Sequence, residues 1–496
     1  MANGSENSER DPFVDPPAAA TSEQASGDAT ATLACGRDVA LTLGKEGLII
    51  IETVPTRSIS YFHILWAEQD DSDIFIHYAQ AKSSSVLRAA TLSYPLEKPS
   101  STDVQPWIER LLDRAYGSAQ RRKRIKVLVN PFGGKGGAAR YYTRDIEPIF
   151  AAARCEIDVE RTQFSGHAVE LAEQLDPDKW DVVACCSGDG VPHEVFNGLA
   201  KQKDARKALR QIAVAQMPCG SGNAMSINLN GTTSCSVAAV CVVKGLRRPL
   251  DLVSITQGDK RFFSFLSQSV GIVAESDLGT DHLRWMGDFR FTWGFLVRLL
   301  GKTVYPCDIA VAIEIADKAA IRDAYHRGIE EAAAHLPANQ INNDNLLENG
   351  HVAGAEDETD LPPLRYGTIK DPLPEGWTLV PHDTIGNFFA GNMAYMAADA
   401  NFFSASLPSD GYLDLIRIDG LIKRRLALQM LTAVESGKLF GMDAVDYTKI
   451  SGYRIIPKSR EDGYISIDGE RVPFEQYQAE VHKGLGTVLM RDGRRY

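Results

Sequence analysis

No apolar run in this chain is long enough to cross a bilayer. A helical span needs about 20 predominantly apolar residues, and the longest stretches, Phe262 to Ala274 and Trp293 to Leu300, are broken by Ser, Gln or Arg. The first residues are polar and acidic and lack an apolar core, so no secretory signal is expected. Positive charge is in deficit: 53 Lys and Arg stand against 65 Asp and Glu, a formal net charge of −12. That argues against nucleic acid as a partner, because wholesale binding of a polyanion leans on a basic surface. The eight cysteines lack metal-ligand spacing. Cys185 and Cys186 are adjacent in a strand-like run and cannot face one ligand together, so they read as small buried residues of a reducing compartment. These absences lead to the expectation of a cytoplasmic protein with peripheral contact to a membrane surface.

What is present is an ordinary globular composition, 44 % apolar and 24 % charged over 496 residues, a length for two or three domains. Residues 1–32, rich in Ala, Ser, Thr, Asp and Glu, are expected to be a disordered tail. Over 36–100 short β-like runs (Leu48 to Ile51, Ser60 to Trp66, Ile74 to Tyr78) suggest a small β module, a candidate docking domain. A helix near Trp107 to Tyr116 leads to the basic run Arg121 to Arg124, which fits a targeting or anionic-lipid patch or a solvated linker. Over 121–250, runs at Ile125 to Val129, Cys155 to Glu160, Asp181 to Cys186 and Ile212 to Met217 alternate with helical stretches. That rhythm predicts a doubly wound, mostly parallel α/β sheet, with ligands at the carboxyl ends of its strands. Over 251–486 the pattern is β-rich and reads as a mostly antiparallel second domain, with a helix over Phe291 to Leu300. It is interrupted at 319–381 by a segment rich in Asn, Glu, Asp and Pro, expected to be an inserted disordered loop. Residues 487–496 hold a terminal strand that could return to the first domain.

Three glycine-rich turns follow successive predicted strands. The first, Asn130-Pro131-Phe132-Gly133-Gly134-Lys135-Gly136-Gly137, precedes a helix; its glycines let several amides point at one anion, which is phosphate-binding chemistry. It is not a Walker A loop. Gly134 to Ala139 also fits the looser dinucleotide fingerprint, with Glu160 at the distance of a ribose-binding acid, so an NAD(P)-dependent oxidoreductase is a rival. The second turn, Ser187-Gly188-Asp189-Gly190, holds an acid between two glycines at the mouth of the sheet, where it can accept a proton, and Glu194 follows on the next helix. The third is Pro218-Cys219-Gly220-Ser221-Gly222-Asn223. A dinucleotide fold needs only the first; three turns at strand ends converge on one crevice.

Together with Ser269 to Leu300 and the late Asp468-Gly469-Glu470, these blocks resemble the diacylglycerol-kinase-like catalytic domain, and most closely the sphingosine (long-chain base) kinases. The resemblance runs from about Lys126 to Leu489, excluding the insertion. It implies ATP and Mg²⁺ as cofactors and transfer of a phosphoryl group to the primary hydroxyl of a sphingoid base. Asp189 would be the general base. Asn130, Gly133, Gly134, Lys135, Gly136, Thr162, Ser187, Gly188, Gly190, Glu194 and Ser221 would bind or shape the nucleotide site. Arg284 and Arg290 would hold the phosphates, and Asp468, Gly469 and Glu470 would close over the nucleotide. Asp277 would bind the polar head of the substrate; a carboxylate in a partly desolvated pocket favours the ammonium that a sphingoid base carries and diacylglycerol lacks. The stretch Asp410 to Asp414 matches the family in a structural role. Val191-Pro192 and Cys219 depart from the family pattern without removing a functional group. The alternatives are a ceramide or diacylglycerol kinase on the same scaffold, the oxidoreductase, and a lipid-binding adaptor without activity. No constellation of metal ligands is legible.

Overall fold

The computed structural model describes the chain from Thr32 to Arg491, apart from residues 37, 53–55, 71, 97–100, 135, 280–296, 298–300, 302, 335–359 and 459–462. The expected helix over Phe291 to Leu300 therefore lies outside the described residues, Val297 excepted. The N-terminal body consists of two antiparallel meanders and a helix. The first meander is β1 (Thr32–Cys35), β2 (Val39–Leu43), β3 (Gly47–Ile51) and β4 (Arg57–Ser60); the second is β5 (Ile64–Asp70), β6 (Asp73–Ser83) and β7 (Val86–Pro95). Helix α1 (Ser101–Tyr116) covers them with Val104, Trp107, Ile108, Leu111 and Leu112, the i, i+3, i+4, i+7, i+8 stripe of an amphipathic helix.

This body is not a separately tethered docking unit. Its buried side chains run without a break into those of the following domain, among them Val127, Cys186 and Val240. Polar ties reinforce the joint: the Leu87 amide donates to Ser236 Oγ at 2.9 Å, and Arg88 pairs with Asp145 at 2.6 Å. The basic run is engaged in the same joint. Arg121 pairs with Glu109 and Asp113, Arg122 lies over the Trp66 ring, and Arg124 pairs with Asp181. Lys123 is enclosed, donates to the carbonyls of Gln120 and Val243, and is pushed down to about 8 by burial.

The second body is the expected α/β layer. Strands β8 (Arg124–Val129), β9 (Glu156–Arg161), β10 (Val182–Ser187) and β11 (Ala213–Pro218) are parallel in the order β9-β8-β10-β11. Helices α2 (Ala138–Tyr141) and α3 (Glu147–Ala152), joined by a π-helical stretch, share one face with α8 (Cys235–Lys244). On the other face lie α4 (His167–Glu173), α5 (Gly190–Leu199), α6 (Ala205–Gln211) and α7 (Ala224–Asn230). Both faces of the sheet are covered, so its strands read as near-continuous apolar runs. Cys185 and Cys186 point into opposite layers.

The third body continues the same sheet. Strand β12 (Leu246–Gln257) is followed by β13 (Lys260–Ser264), β14 (Ser267–Gly271), α9 (Ile272–Leu278), β15 (Cys307–Ile315) and α10 (Lys318–Ala334). Then come β16 (Val380–His382), β17 (Ile385–Gly391), the short pair β18 (Tyr395–Ala397) and β19 (Ala400–Asn401), β20 (Leu413–Asp419) and α11 (Arg424–Glu435). The chain ends with β21 (Asp446–Pro457), β22 (Ile465–Ile467), β23 (Glu470–Val472) and β24 (Tyr477–Met490). All pairings within this body are antiparallel. The expected breaks at 250/251 and 486/487 both fall inside strands. β24 pairs with β12 along its length and also touches β11 in parallel register at Val488 and Val214, so one ribbon belongs to both bodies. The ribbon bulges at Asp251, whose buried carboxylate accepts from the Gly484 and Gly411 amides at 2.6 Å each. Nearby, buried Lys449 joins Asp410 and Asp414 at 2.8 and 3.1 Å, the structural use of that stretch.

The expected disordered loop over 319–381 needs correction at both ends. Its first part is α10, which Ile321 and Tyr325 anchor in the core with Ile329 beside them, an i, i+4, i+8 spacing that the polar composition of the segment masks. Its last part is pinned by Arg454, whose guanidinium donates to the carbonyls of Thr368 and Asp371, and by β16. Because α1 shares a core with the α/β layer, Trp107→Ala is expected to cost about 3–5 kcal/mol. Chemical denaturation should show this as a shift of one common transition, not as a separate early unfolding of residues 32–116.

Candidate active site

The three glycine turns meet at the carboxyl edge of the parallel sheet. After β8, Asn130 Oδ1 accepts from the amides of Phe132 and Gly133 at 2.9 and 3.1 Å, an Asx turn that bends the chain back over the strand. Gly134 follows with φ +58°, and a Cβ there would stand 3.0 Å from the Cys219 carbonyl of the third turn. A Cβ on Gly220 would lie 2.3 Å from Gly188 Cα in the second turn. Backbone touches backbone at both points, which only glycine allows. Asn223, in left-handed conformation, closes the third turn by accepting from Gly220 N and donating to Gly220 O, both at 2.9 Å.

Asp189 sits between these turns. Its Oδ1 accepts from Gln216 Nε2 at 3.1 Å and Met225 N at 2.9 Å; its Oδ2 accepts from Ala224 N at 3.0 Å. A carboxylate offers about four acceptor positions, so Oδ2 retains one. The neighbouring residue on that side is Gly222, whose missing Cβ would lie 3.2 Å from Oδ2. Burial pushes the Asp189 carboxyl above its usual range, and the nearby Asp468 adds to this; the Met225 and Ala224 amides and Gln216 oppose it. The result is a fixed carboxylate with an enhanced affinity for a proton and one open acceptor position.

Several of the residues named for the nucleotide site support the turns. Glu194 accepts from Gly166 N and Ala168 N at 3.0 Å each, tying the loop after β9 to α5. Thr162 is buried behind the first turn, its amide donating to the Val129 carbonyl at 3.0 Å. Ser187 is buried and donates to the Gly188 carbonyl, whereas Ser221 is exposed at the rim. Gly133 and Gly136 lie in the first turn, and Gly190 begins α5. Glu160, the ribose acid of the dinucleotide alternative, is held by Lys126 at 2.7 Å on the outer strand pair.

Asp468 requires a correction. It was expected to close over the nucleotide, but its carboxylate is wholly enclosed and serves as an internal anchor. It accepts from Ser264 Oγ at 2.6 Å and from the amides of Phe265, Leu266 and Ser267 at 2.9 Å each. A fifth bond joins it to His193 Nδ1 on α5 at 2.8 Å. Burial alone would push the His193 imidazolium down, but Asp468, with Glu470 and Glu194 behind it, more than offsets this and raises it above its ordinary value. Asp468 and Gly469 both have positive φ and form the two-residue turn between β22 and β23. Gly469 and Glu470 are exposed, and Glu470 Oε1 lies 2.8 Å from where a Cβ on Gly190 would stand. The Asp-Gly-Glu turn thus reaches the second glycine turn with Glu470 and is locked in place by Asp468.

Lys135, Arg284 and Arg290 lie outside the described residues, and of Asp277 the structure describes only the backbone, within α9. Residues absent from the sequence expectation complete the site. Gln216 bridges Asp189 to the Ser226 amide, and Asn197 holds both backbone groups of Phe263. Asn228 does the same for Tyr395. A lone amide inside the apolar run Ala213 to Pro218 was the available signal for Gln216. Among the described residues, no group of three or more His, Cys, Asp or Glu side chains is arranged to hold a metal ion.

The family model for the diacylglycerol kinase catalytic domain matches residues 124–255, and one described only as a domain of unknown function matches 51–117. Sphingoid long chain base kinase 5 of Saccharomyces cerevisiae is 35 % identical over 78 % of this chain; the match spans 62 % of that protein's length. Sphingoid long chain base kinase 4 of Schizosaccharomyces pombe is 30 % identical over 81 % of this chain and 84 % of the relative. Human sphingosine kinase 1 is 28 % identical over 74 % and 90 %. A crystal structure of a Bacillus anthracis protein described as a diacylglycerol kinase superposes with TM-score 0.50 at 17 % identity, covering 76 % of this chain and 98 % of that one, a likeness of fold.

Asp468→Ala would strand three buried amides, a hydroxyl and an imidazolium, and is expected to lower stability by at least about 3 kcal/mol, with Asp468→Asn less damaging. The stabilisation from His193 is complete below about pH 6.5, the ordinary imidazole value, and is lost as pH rises through the raised folded-state value. Denaturation midpoints measured against pH should show this alkaline decline in the wild type and lack it in His193→Asn.

Proposed function

The chain belongs to the sphingoid long-chain base kinases, and from that premise we propose that it transfers the γ-phosphoryl group of ATP to the primary hydroxyl of a sphingoid base. The observation that carries this reading is the junction of three glycine turns around Asp189, with its one open acceptor position beside Gly222. Phosphoryl transfer asks a protein for positioning and charge neutralisation more than for covalent chemistry. The backbone of the turns supplies amides for the phosphates. Asp189 Oδ2 takes the hydroxyl proton as the substrate oxygen bonds to phosphorus and the bond to the β–γ bridging oxygen breaks, leaving ADP. The raised proton affinity of Asp189 suits it to that task.

Mg²⁺ carried by the triphosphate needs only one or two protein carboxylates. Glu470, exposed beside Gly190, fits that need, and the ion would neutralise phosphate charge. Arg284 and Arg290 are assigned to the phosphates on their match to the family motif alone. Asp277 is assigned to the substrate ammonium; its helix α9 packs against α11 through Ile272 and Ala427. On this reading the second domain is the lipid-binding one.

Asp189→Asn should lower kcat on the order of 10²- to 10⁴-fold while leaving ATP binding intact. In the wild type, kcat should fall as pH drops through the raised Asp189 value, so the acid limb should lie above the ordinary aspartate value of about 3.9; full activity in the mutant would remove the base role. ATP-dependent phosphorylation of sphingosine, ceramide and diacylglycerol, assayed in parallel, tests the substrate. A preference for sphingosine that collapses in Asp277→Asn is expected. A preference for a neutral lipid, or indifference to the mutation, would move the chain's activity to another lipid acceptor.

A further inference from the structure

Strand β11 sends one polar side chain into an apolar layer. Val214 on this strand packs with Leu128, Val183 and Cys185 on the side of α5 and α7. Gln216 stands two residues on, in register with Cys185, and so faces the same layer; it is buried. A primary amide in such a place costs free energy unless both its ends are bonded. Here both are. Nε2 donates to Asp189 Oδ1 at 3.1 Å, and Oε1 accepts from the Ser226 amide at 2.8 Å. A backbone amide can only donate, so Ser226 fixes which end of the side chain is oxygen and leaves the NH₂ group for Asp189.

The first three amides of α7 have no partner within the helix, whose first internal bond runs from Ile227 N to the Asn223 carbonyl. Ala224 N goes to Asp189 Oδ2, Met225 N to Asp189 Oδ1, and Ser226 N to Gln216. Oδ1 therefore receives two donors and Oδ2 one. A carboxylate oxygen has about two acceptor positions, so Oδ1 is filled and Oδ2 is not. With an apolar side chain at 216, each oxygen would hold one amide and keep one position open, and the Ser226 amide would be stranded. We propose that Gln216 is a positioning residue: by filling Asp189 Oδ1 it makes Oδ2, the oxygen beside Gly222, the one that takes the proton of the acceptor hydroxyl. This inference rests on the kinase reading and deepens it. Burial and, after it, the charge of Asp468 raise the proton affinity of Asp189. On the elements packed against it, His193 is tied to Asp468, Glu194 to the amides of Gly166 and Ala168, and Glu470 reaches Gly190. These groups are common to the variants below.

The test is the pH profile of kcat for ATP-dependent phosphorylation of sphingosine, taken with the wild-type chain, Gln216→Leu, Gln216→Glu and Asp189→Asn. Gln216→Leu should lower the plateau kcat about 10- to 100-fold with KM for ATP unchanged. Its acid limb should move to higher pH, because a donor to the ionised carboxyl is gone. Gln216→Glu keeps the shape of the side chain. While the new carboxyl and Asp189 share one proton, the new group can still accept from Ser226 N and donate to Oδ1, so activity should approach wild type there. Once both are ionised the donor is lost and two carboxylates repel, so kcat should fall again as pH rises. That descending limb should lie at lower pH than any in the wild type. A side chain that merely filled space would give one lowered plateau in both variants and no such limb. Wild-type kcat and acid limb in Gln216→Leu would overturn the proposal, as would a Gln216→Glu profile without the descending limb. Should Gln216→Leu fail to fold, the profile of the isosteric Gln216→Glu decides by itself. Full activity in Asp189→Asn would remove the base role and this inference with it. An inactive Asp189→Asn beside indifferent Gln216 variants would remove only the role given to Gln216.

Discussion

At the carboxyl edge of the parallel sheet, Gly188 and Gly220 pass so close that a side-chain carbon on the latter would stand 2.3 Å from the backbone of the former. This contact between two bare backbones governs the rest of the site. It brings the turn after β10 against the turn after β11, and so sets Asp189 over the first amides of α7 and beside Gln216. The same packing continues to Gly134, where the first turn abuts the third. A carboxylate held by three donors has little freedom, and a fixed acceptor with one open position suits the proton abstraction proposed for it.

The second constraint is the way the β-rich body is fastened to the α/β body. Strands β12 and β24 run through both, so no flexible linker separates them. Around that ribbon, side chains satisfy backbone groups across the joint: Asn197 on Phe263, Asn228 on Tyr395, and Asp468 on His193 and three amides. Each of these buried polar groups would be costly if stranded, so the crevice between the bodies is braced. The N-terminal body extends the bracing on the other side, because its apolar core is continuous with the layer that holds α3 and α8.

Local pattern and tertiary outcome diverge in instructive places. The Asp468-Gly469 pair is a strong hairpin signal, and a hairpin turn is what it forms. Its partner His193 is 275 residues away, so nothing near either residue announces an internal anchor. Polar composition suggested a disordered stretch at 319–381. Yet Ile321, Tyr325 and Ile329 sit at helical spacing within it, and Arg454 and Gln478 from distant strands hold the later part through its carbonyls. Arg121 to Arg124 looked like a free basic cluster only because Glu109, Asp113, Trp66 and Asp181 are scattered along the chain.

From sequence alone came the parallel sheet, its three glycine turns, the acid between two glycines, and the family resemblance that these motifs carry. All are short-range features, written in apolar periodicity and in residues that only certain backbone angles accept. Tertiary structure alone decided which turns touch, which oxygen of Asp189 stays open, and that Asp468 is an anchor while Glu470 reaches the site. Those outcomes depend on pairings between residues far apart in the chain. They are set by packing and by the need to satisfy buried polar groups, and no local pattern encodes them.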